Sequence, residues 1–302
     1  MHPEGIEVSS PSTGRGSADG PTVLRILLGA QLRRLREARG LTREQAGWEI
    51  RSSESKISRI ELGRVSFKER DVADLLTFYG MPEDDPERAR LLSLTRQANT
   101  PGWWQSYTDV TPGWFQSYLG LEAATSMIRT YEVQFVPGLL QTREYARAVV
   151  RLGYPSAPGT EIERRVDLRE ARQLLLTRED PPQFWAVVDE AVLRRPIGGW
   201  AVLRSQIEAL LESNQLPNVR VQVVPFGVGG HAAAGGAFSI LRFPEQDVPD
   251  VVYIEQLTSA LYLERREDLD RYTEAIERLC LDANQPEETA EVLAAILKDL
   301  PA

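Results

Sequence analysis

The stretch Leu41-Thr42-Arg43-Glu44-Gln45-Ala46-Gly47, continued by Ser53-Glu54-Ser55-Lys56-Ile57-Ser58-Arg59-Ile60-Glu61, constrains the fold more than any other part of the chain. Thr42 with Gln45 three residues later is a capping box, so a helix opens there. Ala46, Gly47 and Ile50 give that helix a small-residue face on which another helix can approach closely. Ser52 or Ser53 can cap a second helix, and Glu54 in its first turn suits the positive end of the macrodipole. Ile57 and Ile60 point inward at helical spacing, which leaves Glu54, Ser55, Ser58 and Arg59 to face outward. Two short helices on a tight turn follow.

The flanks extend the pattern. Leu24, Leu28, Leu32 and Leu35 fall at helical spacing with Arg33, Arg34, Arg36 and Arg39 mostly on the other faces, and Gly40 ends that helix. Ser66 with Glu69 reads as another capping box, opening a helix with Val72, Leu75, Leu76 and Tyr79 on its apolar side; Gly80 and Pro82 close it. Five helices are expected between Pro21 and Met81. A helix pair of this kind is the sequence form of a helix-turn-helix, whose second helix lies in the DNA major groove. A short helical pair with a serine-rich turn also occurs in helical domains that never touch nucleic acid, and charge separates the two readings. Residues 21–80 hold twelve Lys or Arg against eight Asp or Glu, a balance of +4, whereas the whole chain carries −9. A basic module on an acidic chain is the electrostatic footprint of a DNA reader.

With these residues in view, the segment resembles the lambda-repressor-like, or XRE-type, helix-turn-helix domain; Ile57-Ser58-Arg59-Ile60-Glu61-Leu62-Gly63-Arg64 is similar to that family's recognition-helix ending. The resemblance implies that Glu54, Ser55 and Arg59 read base edges and that Arg43, Ser53 and Arg64 contact phosphates, with Lys56 and Ser58 on the same helix completing the candidate DNA-binding set. Two positions depart from the pattern. Gly47 stands where the family usually has alanine, and Arg51 where the turn usually has glycine, which implies a strained backbone or a longer turn at Arg51.

A chain of 302 residues suggests two domains. The expected organisation is a disordered, Ser-, Gly- and Pro-rich arm over 1–20, the helix-turn-helix domain over 21–81, a helix and aromatic linker over 82–118, and an α+β domain over 119–302. In the linker, Pro101-Gly102-Trp103-Trp104 and Pro112-Gly113-Trp114-Phe115 form a near-repeat, with Tyr107 and Tyr118 following. Proline and glycine beside the rings favour a turn packed on the larger domain over base stacking. No run reaches the roughly eighteen apolar residues of a membrane span, and the N-terminus lacks the parts of a signal peptide. A single cysteine, Cys280, excludes an internal disulfide and suits a cytoplasmic protein, nucleoid-associated when bound. Lysine is rare beside arginine, a bias that fits a GC-rich genome such as an actinobacterium's.

The second part reads as α+β. A long helix capped by Thr160 and Glu163 runs to about Thr177. Phe184–Val188 is a buried strand, Trp200–Leu211 a helix, and Val219–Val223 an alternating strand. Phe238–Phe243, Val251–Leu257 and Ala260–Leu263 add strands at hairpin spacing. Helices at Leu269–Leu279 and Pro286–Leu300 follow. The expected arrangement is a mostly antiparallel sheet covered on one side. Catalysis has little to stand on: His231, in a glycine-rich loop leading into a strand, is the only histidine outside the arm, no Cys/His metal set exists, and Asp189 and Glu190 are adjacent on opposite strand faces. The expectation is no enzyme, no metal and no cofactor. Ligand sensing near 227–236 and dimerisation with partner docking both remain open. Motifs such as Val136-Pro137-Gly138-Leu139-Leu140-Gln141-Thr142, Asp189-Glu190-Ala191-Val192-Leu193-Arg194 and Tyr253-Ile254-Glu255 resemble the large domain of unknown function that follows XRE-type modules in actinobacterial regulators of the WhiJ type. That resemblance implies a transcription regulator or an antitoxin-like protein that neutralises a small neighbour-encoded partner; the expected partners are a double-stranded DNA operator and a second copy of the chain, with the homodimer contact in this domain.

Overall fold

The computed structural model describes residues 21–63, 65–244 and 248–301. The arm expected over 1–20 and the candidate contact Arg64 lie outside the described residues.

The head is helical: α1 (Pro21–Ala38), α2 (Arg43–Glu49), α3 (Glu54–Glu61), α4 (Glu69–Phe78) and α5 (Pro86–Ala98). Among the described residues four helices lie between Pro21 and Met81, where five are expected, and the charged helix expected in the linker packs with them as a fifth. It buries Leu91 and Ala98 in the same core as Leu24, Leu28 and Leu32 of α1, Ile57 and Ile60 of α3, and Val72, Leu75 and Leu76 of α4. Each of these larger aliphatic side chains contributes roughly 1.5–3 kcal/mol on leaving water, so α5 stabilises the head. The Ser66–Glu69 capping box does not form: α4 starts at Glu69 behind Lys68, with no side-chain cap. The backbone just before it is held elsewhere, because Asn99 accepts from Phe67 N–H (3.3 Å) and donates to the Phe67 carbonyl (2.6 Å).

The body comprises α6 (Gly113–Ala123), β1 (Met127–Glu132), α7 (Arg143–Gly153), α8 (Gly159–Gln173), β2 (Gln183–Asp189), α9 (Trp200–Ser213), β3 (Val219–Val224), β4 (Phe238–Arg242), β5 (Val251–Glu255), β6 (Ala260–Leu263), α10 (Arg266–Asp282) and α11 (Thr289–Asp299). Its six strands run in the order β3-β2-β1-β4-β5-β6. β1, β2 and β3 are parallel, while β4, β5 and β6 pair antiparallel outward from β1. The sheet is therefore mixed rather than mostly antiparallel. The cause lies in the connections: α7 with α8, and then α9, carry the chain back across the sheet, and helical crossovers of that length return strands in parallel. Coverage on one side is also overturned. Phe184, Ala186, Val188, Val221 and Leu241 face a core shared with α6, α7, α9 and α11. Val187, Phe238, Ile240 and Val252 face α10 through Ile276 and Leu279. Strands covered on both faces are apolar nearly throughout, as the buried run Ala186-Val187-Val188 is. The Thr160–Glu163 cap fails too, since α8 starts at Gly159 and Glu163 is taken by Arg143 and Arg147.

The aromatic near-repeat packs on the body. Trp104 is buried with Leu119 and Leu168, Phe115 stacks on Tyr118 at 5.5 Å, and Tyr262 donates to the Trp114 carbonyl. Arg172 and Glu122 form a buried bidentate pair at 2.9 and 2.8 Å. Ile26 and Leu27 of α1 reach the body core beside α6. The glycine-rich loop leads into β4, and His231 Nε2 lies 2.8 Å from the hydroxyl of buried Tyr131. Asp189 accepts from Ala191 N–H within its own turn, whereas Glu190 accepts from Phe226 N–H and ties the turn after β2 to the turn after β3. Burial pushes the Cys280 thiol up to about 11.

One carboxyl of the body couples folding to pH. Glu132, at the end of β1, is pushed up to about 8, first by burial and then by the Glu255 carboxylate. Between about 4.5 and about 8 the folded chain keeps this proton while the unfolded chain releases it, so stability falls as pH rises through that window. Glu132→Gln is expected to be more stable than the parent at pH 8 by about 1–3 kcal/mol, with the difference vanishing near pH 4. Denaturant midpoints at the two pH values check this; equal differences at both would contradict it.

Candidate nucleic-acid interface

The turn between α2 and α3 is built by capping at both ends. Thr42 and Gln45 form the reciprocal box that starts α2, with Gln45 N–H to Thr42 Oγ1 at 3.1 Å and Thr42 N–H to Gln45 Oε1 at 2.8 Å. Of the two serines able to start α3, Ser53 does so, accepting from Lys56 N–H at 3.2 Å. Between them Ser52 N–H bonds the Gly47 carbonyl (2.8 Å) and Arg51 N–H the Trp48 carbonyl (3.1 Å). This is the Schellman closure, which places its C′ residue in the left-handed region. That residue is Arg51, at φ 52°. The departure from glycine is thus accommodated by strain, of order 1–2 kcal/mol, without lengthening the turn. Gly47 has a reason of its own: a Cβ there would stand 2.7 Å from the Ser52 carbonyl oxygen.

α3 is seated by packing beneath it. Ile57 and Ile60 are buried, and α1 meets the α3 backbone at Gly29, where a Cβ would lie 2.5 Å from the Ile60 oxygen. Glu61 completes the seat. Its carboxylate, 1 % exposed, accepts from Arg36 Nε (2.5 Å) and Nη2 (3.0 Å) and from Arg43 Nε (3.0 Å). Arg36 also donates to the Leu41 carbonyl at 2.7 Å, and its bond to Glu61 is the largest cause of its raised pKa. One carboxylate therefore ties α1, α2 and α3 together.

The candidate contact residues separate into two groups. Ser53, Glu54, Ser55 and Arg59 are exposed together along α3, Ser58 is half-buried beside them, and Arg59 Nε reaches back to the Ser55 carbonyl at 3.4 Å. Arg43 and Lys56 are engaged within the head instead, Arg43 with Glu61 and Lys56 with Asp71 of α4 at 3.0 Å. Two residues that seat α3 were not legible from spacing: Glu61 was visible only as the end of a motif, because its partner Arg36 lies 25 residues away, and Gly29 sits among the leucines of α1.

Among the described residues no group of three or more His, Cys, Asp or Glu could hold a metal ion, and no helix is long and apolar enough to cross a membrane. What the exposed face offers is hydrogen-bonding chemistry: a guanidinium, a carboxylate and hydroxyls on a helix narrow enough for a major groove. A helix-turn-helix domain model matches residues 27–91, and the model of a domain of unknown function, DUF5753, matches residues 115–295. No curated protein and no solved structure matches the chain.

Proposed function

The chain belongs to the DUF5753 family, and from that premise and its helix-turn-helix head we propose that it is a sequence-specific, DNA-binding transcriptional regulator. The observation that carries this reading is the exposed row Glu54, Ser55 and Arg59 on a helix seated by Gly29 and Glu61. Arginine in such a row reads guanine through O6 and N7, and a carboxylate accepts from the cytosine amino group. Ser53 lies at the helix start, where phosphate contacts set the register. A head of this size reads only a few base pairs, so we take the protein to act as a homodimer on two half-sites, with the body as a non-catalytic dimerisation and docking module.

Selection from random duplexes with the full chain tests the reading. The expected product is a two-fold repeated motif whose half-sites are about 10–10.5 base pairs, or about 34–36 Å, apart or a multiple of that. A pool that remains random after repeated rounds contradicts it.

A further inference from the structure

The two edges of the body's sheet are finished differently. On β3 the outward backbone groups are closed by side chains and a neighbouring turn. Val221 N–H donates to Asn214 Oδ1 (3.1 Å) and Val223 N–H to Asn284 Oδ1 (2.6 Å). The Val221 carbonyl accepts from Thr289 Oγ1 (2.5 Å) and the Val223 carbonyl from Asn284 N–H (3.1 Å). No further strand can add there.

β6 has none of this. Gln256 N–H bonds the Ser259 carbonyl at 2.9 Å across the β5–β6 turn, and the register pairs Ile254 with Leu261 and Val252 with Leu263. Hydrogen-bonded and non-bonded pairs alternate in an antiparallel ladder, so Leu261 and Leu263 bond to β5. The N–H and C=O groups of Ala260 and Tyr262 then point away from the sheet, and among the described residues nothing bonds to them. Natural edges are blunted by being very short, by lysine or proline, by a bulge or by a covering element, and of these β6 has only its four-residue length. Leu257-Thr258-Ser259-Ala260-Leu261-Tyr262-Leu263 contains no charge and no proline, Leu257 is fully exposed, and Leu261 is half-exposed.

We propose that β6 pairs antiparallel with β6 of a second copy of this chain across a two-fold axis, joining two six-stranded sheets into one. The occupant follows from symmetry and charge. An antiparallel strand pair is self-complementary under a two-fold, as an isologous dimer interface must be. On a chain of net charge −9, a four-residue edge strand that carries no charge, entered from an uncharged turn, lets two copies meet without like charges in register. In the joined sheet, Leu261 and Leu263 extend the face that α10 covers. This rests on the dimeric reading under Proposed function and names its surface.

The test is the mass of the full chain by sedimentation, with circular dichroism to confirm folding. Ala260→Pro removes an outward N–H that the β5 ladder does not use. Leu261→Lys sets like charges against each other across the axis while leaving the backbone intact. The parent is expected to be a dimer at micromolar concentration, Leu261→Lys to dissociate at least about 100-fold more readily, the order expected of opposed like charges, and Ala260→Pro to dissociate more readily through the lost outward N–H. A folded Leu261→Lys variant that dimerises as the parent does overturns the β6 pairing and leaves the dimeric regulator standing. A monomeric parent at concentrations that occupy the selected duplex overturns both. Dissociation of the variants, in a chain that selects no DNA, supports the pairing and counts against the head reading alone.

Discussion

Glu61→Ala is expected to destabilise the head by about 3–5 kcal/mol and to abolish specific DNA binding at moderate temperature. Removing one partner of a buried ion pair leaves the other charge in a poorly solvated site, and that residual charge dominates the loss. Here the stranded group is Arg36, whose side chain is 7 % exposed, with Arg43 losing its partner as well. Set against the about 5–15 kcal/mol that holds a typical domain folded, the loss takes a fifth or more of the total. It also frees the end of α3 from α1 and α2, so the reading helix loses its seat before the rest of the core melts. Thermal unfolding and affinity for the selected duplex check this together. The Arg36→Met, Glu61→Leu double variant is expected to recover most of the stability, since two apolar side chains leave no charge unpaired. A Glu61→Ala protein with parental melting and parental affinity would show that the buried pair holds nothing.

Affinity for the selected duplex is expected to fall by about 10³ between 50 and 200 mM salt, although the protein as a whole is acidic. A dimer neutralising roughly 6–10 phosphates releases as many counterions and loses about 10³–10⁵ over that range. The head places this protein at the shallow end, because several of its basic groups are already paired: Arg43 with Glu61, Lys56 with Asp71, Arg33 with Glu37 and Arg96 with Glu69. Screening over about 8–10 Å separates the basic head from most of the acidic body. The body's charge therefore discourages non-specific contact without cancelling the attraction at α3. A log–log salt slope near zero would contradict this picture.

Much of the head was readable because its signals are local. The caps at Thr42 and Ser53, the inward isoleucines and the strain at Arg51 each depend on residues within one turn, where sequence spacing and spatial spacing coincide. Ser66–Glu69 has the right spacing for a cap and yet forms none, since Asn99 holds the backbone of Phe67; a local rule yields to a partner 32 residues away. The body was legible as elements and misread as a sheet. β2 and β3 show their apolar runs, but whether neighbours run parallel depends on where α8 and α9 return the chain. β1 was not distinguished as a strand: its Arg129 and Glu132 interrupt the apolar run, and its place at the centre of the sheet follows only from pairing with β2 and β4. On the candidate face of α3, the exposure of Glu54, Ser55 and Arg59 was legible by phase alone. The internal engagement of Arg43 and Lys56 was not, because each partner belongs to another helix.

The most direct test of the account compares the parent and Arg59→Ala, as full chains, on duplexes carrying every single-base change in the selected site. If the outer face of α3 reads base edges, Arg59→Ala loses about 1–3 kcal/mol of discrimination at one position of each half-site, with preferences elsewhere unchanged. Parental affinity with the parental preference at every position would contradict the assignment of α3 as the reading helix.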